Sequence, residues 1–157
     1  MLGRFENFPI FVHKEKKFRI NASMENFQKK ILESLYKLNG KEISPKQILD
    51  GTDAGLKLIF EIGLAEGLNF NYLDNLELER CLNFLKNGVF NVLDFFVVNR
   101  YYRVDGDKRK PLRFDYQLLR LEFLEKTLVV RVYHEKGPRR IQLEDLIDFL
   151  AKQFLQS

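Results

Sequence analysis

Apolar residues recur at helical spacing in four stretches of the chain, and they alternate with polar ones in others. Phe27, Ile31, Leu32, Leu35 and Leu38 form one stripe behind Ser23, which suits an N-cap. Glu25 favours the helix dipole in the first turn, and Asn39-Gly40 marks the stop. Ser44-Pro45 opens a short helix that Gly51 limits. Leu56, Ile59, Phe60, Gly63, Leu64 and Leu68 read as the stripe of a further helix, capped by Thr52 or Asp53. A helix is predicted from about Asp74 to Lys86, with Leu78, Cys81, Leu82 and Leu85 inward and Asn87-Gly88 as its end. The final helix spans about Leu143 to Leu155, with Leu146, Ile147, Leu150 and Phe154 on one face.

The strand-like stretches begin with Phe8–His13 and Phe18–Ala22, joined as a hairpin by the charged turn Lys14–Lys17. After Gly88 the period changes to two. Val89 to Val104 is a long β-branched and aromatic run, Asp105-Gly106-Asp107 a turn, and Pro111 to Phe123 the returning strand. Glu125-Lys126 turns into Thr127–His134; Gly137-Pro138 then leads to a short fourth strand, Arg139–Gln142. Short connections make neighbouring strands antiparallel. The expected fold is α+β: an N-terminal hairpin and three to four helices over residues 1–88, then a four-stranded antiparallel sheet and a C-terminal helix over 89–157. With 157 residues the chain is one domain, large enough to bury about 70% of its unfolded surface.

Composition removes several classes. The N-terminal residues do not form a basic stretch followed by an apolar run, and the most apolar window, Val89 to Val98, falls short of a span of about 20 residues. One cysteine and two histidines do not supply a thiolate metal site. Gly-rich phosphate loops are absent. The expectation is a cytoplasmic, non-enzymatic protein without cofactor or metal. Of its 15 Phe, Phe27, Phe60, Phe84, Phe149 and Phe154 are expected in helix packing. Cys81 lies on an inward stripe and is expected to be an inert buried thiol.

Charge is uneven. The total is +4, yet residues 97–140 carry 12 Lys and Arg against 6 Asp and Glu, whereas residues 51–96 carry 3 against 7. Aromatics lie between the cations of the sheet half. Arg100, Tyr102 and Arg103 end the first long strand; Lys108, Arg113 and Tyr116 follow its turn; Arg120, Arg131 and Tyr133 continue on later strands; Arg139 and Arg140 crowd the last turn. Arg131 and Tyr133 share parity and face one side, as do Arg100 and Tyr102. Arg113 and Arg120 differ in parity and share a face only if a bulge intervenes. Cations neutralise phosphates and aromatic faces stack on unpaired bases, so these eleven residues are the candidate site for single-stranded nucleic acid, DNA or RNA.

The run Arg120–His134, the basic turn Gly137–Ile141 and the helix start Leu143–Leu146 resemble the end of the positive-cofactor transcriptional coactivators. In size and order the whole chain is similar to the ThermoDBP-related single-stranded DNA-binding proteins of thermophilic archaea. That resemblance implies sequence-independent binding of single-stranded DNA in an apolar cleft rimmed by basic residues, by a homo-oligomer. High Phe, Glu and Lys content agrees with a heat-adapted source. Two other readings stand beside it. One is a protein-interaction subunit with exposed Phe residues; the other is a metal-dependent nuclease built on Asp94, Asp115 and Glu122 with Lys126.

Overall fold

The computed structural model describes residues 3–48 and 55–155. Among these, nine strands form one antiparallel sheet and three helices cover one of its faces. The strands are β1 (Gly3–Arg4), β2 (Lys14–Arg19), β3 (Glu42–Ile43), β4 (Leu56–Glu66), β5 (Asn69–Tyr72), β6 (Val92–Asp105), β7 (Lys108–Pro111), β8 (Asp115–Leu124) and β9 (Thr127–Lys136). The helices are α1 (Met24–Leu38), α2 (Asn75–Leu85) and α3 (Leu143–Leu155). Strand order is β1-β5-β4-β6-β8-β9-β2, with β3 on β4 and β7 on β6.

This corrects the expected four-stranded sheet preceded by a helical half. Residues 56–66 form a strand because Leu56, Leu58, Phe60, Ile62 and Leu64 alternate inward, and all five are buried. The same stretch also satisfied helical spacing, but a helix would turn Leu58 and Ile62 away from the other three. The proposed caps Thr52 and Asp53 lie outside the described residues. Phe8–His13 is not a strand; the expected turn Lys14–Lys17 is itself the edge strand β2, paired along β9 from Lys14 opposite Val132 to Arg19 opposite Thr127. Lysines on an exposed edge discourage pairing with another chain. Arg139–Gln142 is a link and not a strand. Pro111 belongs to β7, so the return from β6 is broken at Leu112–Phe114.

The three long helices follow their sequence signals. Ser23 caps α1 by accepting from the Asn26 N–H, and Asp74 caps α2 by accepting from the Glu77 N–H at 3.0 Å. The core lies between the helices and the inward side chains of β4, β6, β8 and β9, with Phe60 stacked on Phe149 and Phe27 edge-on to Phe123. Phe84, expected inside, is half exposed and stacks on Phe90. Cys81 is fully buried, and desolvation pushes its thiol up to about 11. Gln28, equally buried, donates to the Phe90 carbonyl at 2.7 Å and accepts the Phe90 N–H at 2.8 Å, tying α1 to the approach of β6. Lys16 on β2 donates to Asp148 on α3 at 2.6 Å, fastening the sheet edge to the last helix. Among the described residues no helix is long and apolar enough to cross a membrane.

Candidate nucleic-acid interface

Opposite residues in an antiparallel pair point to the same side, so register assigns each side chain to the helix-covered face or the open face. On the open face a run of six rings crosses the sheet. Phe5 meets Phe70 at 5.0 Å between centroids, Phe70 stacks on Phe96 at 5.5 Å, and Phe96 on Tyr116 at 6.2 Å. Tyr116 meets Phe114 at 6.4 Å, and Phe114 meets Tyr102 at 6.0 Å. Cations lie over the far end. The Arg100 guanidinium is 5.4 Å from the Tyr102 ring and 5.8 Å from Phe114, and the Lys136 ammonium is 5.0 Å from Tyr116.

A β-bulge creates this end of the track. The β8–β9 register shifts between Tyr116, opposite Lys136, and Gln117, opposite His134, so Glu135 is an extra residue on β9. Without it, Lys136 would point to the helix side; with it, Lys136 reaches Tyr116 on the open face. The bulge does not carry Arg113, which is exposed in the link before β8 and lines a small hollow with Phe114, Tyr116 and Lys136.

Of the eleven expected residues, Arg100, Tyr102, Tyr116, Arg120, Arg131 and Tyr133 share the open face. Arg103 and Lys108 do not: Arg103 stands opposite Leu56, and Lys108 opposite Asp105, on the side of the helices. Arg139 and Arg140 are exposed in the link to α3. Three of the open-face arginines are held by carboxylates. Arg120 makes a two-pronged pair with Asp94 at 2.8 and 2.9 Å, Arg131 bridges Glu122 at 2.6 Å and Glu15 at 2.9 Å, and Arg100 meets Glu61 at 2.6 Å. These hydrogen bonds raise the Arg120 and Arg131 guanidinium pKa values above the ordinary arginine value. The centre of the face is therefore close to charge-balanced; cations outside these pairs lie at the Arg113–Lys136 end and on the β2 edge, where Lys17 and Arg19 face the open side.

Behind that end, on the helix side, Asp115 is buried at 1% exposure and accepts four hydrogen bonds. They come from Tyr101 Oη at 2.6 Å, His134 Nε2 at 3.0 Å, and the backbone N–H groups of Arg139 at 2.6 Å and Arg140 at 3.0 Å. A carboxylate only accepts, so His134 Nε2 carries the proton. Burial and the bond to Asp115 push the Tyr101 phenol far up. The network pins the basic link 137–140 against the sheet. Gly137 completes it: with φ +120°, a Cβ there would lie 2.3 Å from the Phe114 carbonyl oxygen.

The nuclease constellation does not assemble. Asp115 is occupied on the helix side, whereas Asp94 and Glu122 are on the open face, each paired with an arginine. Among the described residues no three His, Cys, Asp or Glu side chains are grouped so as to hold a metal ion.

Sequence reasoning passed over Phe5, Phe70, Phe96 and Leu118 as site residues. Phe96 shares parity with Arg100 and Tyr102 and was readable on that ground. Phe5 and Phe70 were not, because β1 and β5 carry no clear alternation. The chain matches no known family model, no curated protein and no solved structure.

Proposed function

We infer that the protein binds single-stranded nucleic acid on the open face of its sheet, with little sequence preference along the track. The observation that carries this reading is the unbroken six-ring path with Arg100 and Lys136 lying over its rings. Phe70 is buried, so bases meet the half-buried rings of Phe96, Tyr116, Phe114 and Tyr102; a stacked base gains about 1–3 kcal/mol on such a ring, and every base has a face to offer. Phosphates are met by Lys136 and Arg113 at the basic end, in place of the carboxylate-paired Arg120 and Arg131; Arg140 lies instead over the Tyr101 ring on the helix side. The ThermoDBP resemblance implies the same class of ligand. The binding form is proposed as a homo-oligomer only on that resemblance.

Fluorescence anisotropy with labelled single-stranded and duplex oligonucleotides over a salt series tests the reading. Single strands should bind tighter, with an affinity that falls as salt rises. Lys136→Ala should reduce the slope of log affinity against log salt by about 0.7, the share of one phosphate contact on a single strand. Equal affinity for duplex, or no salt dependence, refutes it.

A protein-interaction role draws on a separate observation. Phe84, Val89, Val92 and Leu124 are exposed near the start of β6, at the end of that strand away from the basic link.

A further inference from the structure

Residues 3–13 form a strap across the open face. It is held at one end by the Phe5 N–H to Leu68 carbonyl bond at 2.7 Å, and at the other by the His13 N–H to Val132 carbonyl bond at 2.9 Å. Beneath it lies a cavity of about 490 Å³. Its floor is one cross-strand row, with Phe96 opposite Leu118 and Leu118 opposite Tyr133. Adjacent strands are about 4.8 Å apart, so the two outer residues are rooted about 10 Å apart across the leucine. A planar ring between two aromatic faces, each at carbon contact distance, needs about 7–8 Å. Side chains rooted that far apart leave room for a flat ring between them. Both walls are braced from behind, Phe96 by Phe70 at 5.5 Å and Tyr133 by His13 at 4.8 Å.

The polar lining is selective. Arg4 and Glu6 at the mouth face each other at 3.9 Å. Glu135, the residue that the bulge adds, also lines the cavity and makes no ion pair among the described residues. A carboxylate offers acceptors alone, so it favours an edge with two adjacent donors. Guanine has that edge in N1–H and N2–H₂; adenine, cytosine and thymine each set a donor beside acceptors. Asn7, which also lines the cavity, carries an amide N–H₂ of the kind that donates to a guanine O6.

We propose that the cavity beneath the strap takes a single guanine base, its face between Phe96 and Tyr133 and its donor edge on Glu135. The proposal rests on the single-strand reading for how the base arrives: Phe70 and Phe96 belong to both track and cavity, so a strand on the track delivers a base without leaving the face. The strand then has one position of base preference on an otherwise tolerant surface.

Two arms test it. By anisotropy, wild-type protein should bind an oligothymidylate carrying one central dG about tenfold tighter than plain oligothymidylate. Glu135→Gln should bring that ratio to about one, and inosine, which lacks the second donor, should fall between. Equal wild-type affinity for the two strands, or a ratio that survives Glu135→Gln, overturns the proposal. In the second arm, saturation-transfer NMR compares free guanosine with thymidine. A guanosine signal that disappears in Glu135→Gln, with no oligonucleotide binding, upholds the cavity and refutes the track. Absence of both the guanosine signal and strand binding refutes the two together.

Discussion

Replacing Asp115 by Asn exchanges one oxygen for an amide and leaves the shape almost unchanged, so its effect isolates hydrogen bonding. Oδ1 accepts from His134 Nε2 and the Arg139 N–H; Oδ2 accepts from Tyr101 Oη and the Arg140 N–H. The phenol can rotate and the imidazole can move its proton to the other nitrogen, so either of these can turn acceptor towards an NH₂ group. A backbone N–H cannot. Whichever way the new amide is placed, one of the two backbone donors faces another donor. That mismatch costs about 1–3 kcal/mol, and loss of charge assistance in the remaining bonds adds about 1 kcal/mol. The expected destabilisation is about 2–4 kcal/mol, out of a total of roughly 5–15 kcal/mol for a domain. With a urea slope of about 2 kcal/mol/M, the midpoint followed by far-UV circular dichroism at neutral pH should fall by about 1–2 M. A midpoint within about 0.2 M of wild type would refute the claim that this carboxylate holds the 137–140 link.

Gly137→Ala should destabilise by about 2–3 kcal/mol in the same titration, because positive φ and the clash with the Phe114 carbonyl act together; an unchanged midpoint would show that the link can shift. His13 Nδ1 accepts the His134 N–H at 3.0 Å, and its pKa is lowered, first by desolvation and then by Arg139 and His134. The folded state thus disfavours the proton: the stabilisation is present above the unfolded value of about 6.5 and is lost as pH falls through the lowered folded value. His13→Asn should therefore flatten the fall in urea midpoint between neutral pH and about pH 5, and an identical slope in the variant would contradict this. Cys81, buried with its thiol pushed up to about 11, should stay unmodified by a thiol-reactive disulfide at pH about 8 until denaturant is added. Prompt labelling of the native protein would place it outside the core.

The helices were legible because each carries a cap or a stripe: Ser23 and Asp74 do in three dimensions what their positions imply. β6, β8 and β9 were legible because β-branched and aromatic residues alternate there. Residues 56–64 contain two periodicities at once, and only the presence of a partner sheet decides between them; the five inward positions from Leu56 to Leu64 were the better signal. β2 was hidden for the opposite reason, since an edge strand made of Lys14, Glu15, Lys16 and Lys17 lacks an apolar pattern. At the site, parity put Arg131 with Tyr133 and Arg100 with Tyr102 correctly. It did not reveal that Arg120 and Arg131 are held by acids on neighbouring strands, nor that Asp115 gathers four donors, because those partners are remote in sequence.

The pairing of β2 with β9 also sets an order of events for a chain emerging from the ribosome. Lys14 has its place opposite Val132, so β2 waits unpaired until the chain between the two strands has been made. Contacts closing so large a loop form late and slowly. The strap cannot be fastened at His13 until Val132 exists, so the roofed cavity takes shape only after β9 is in place.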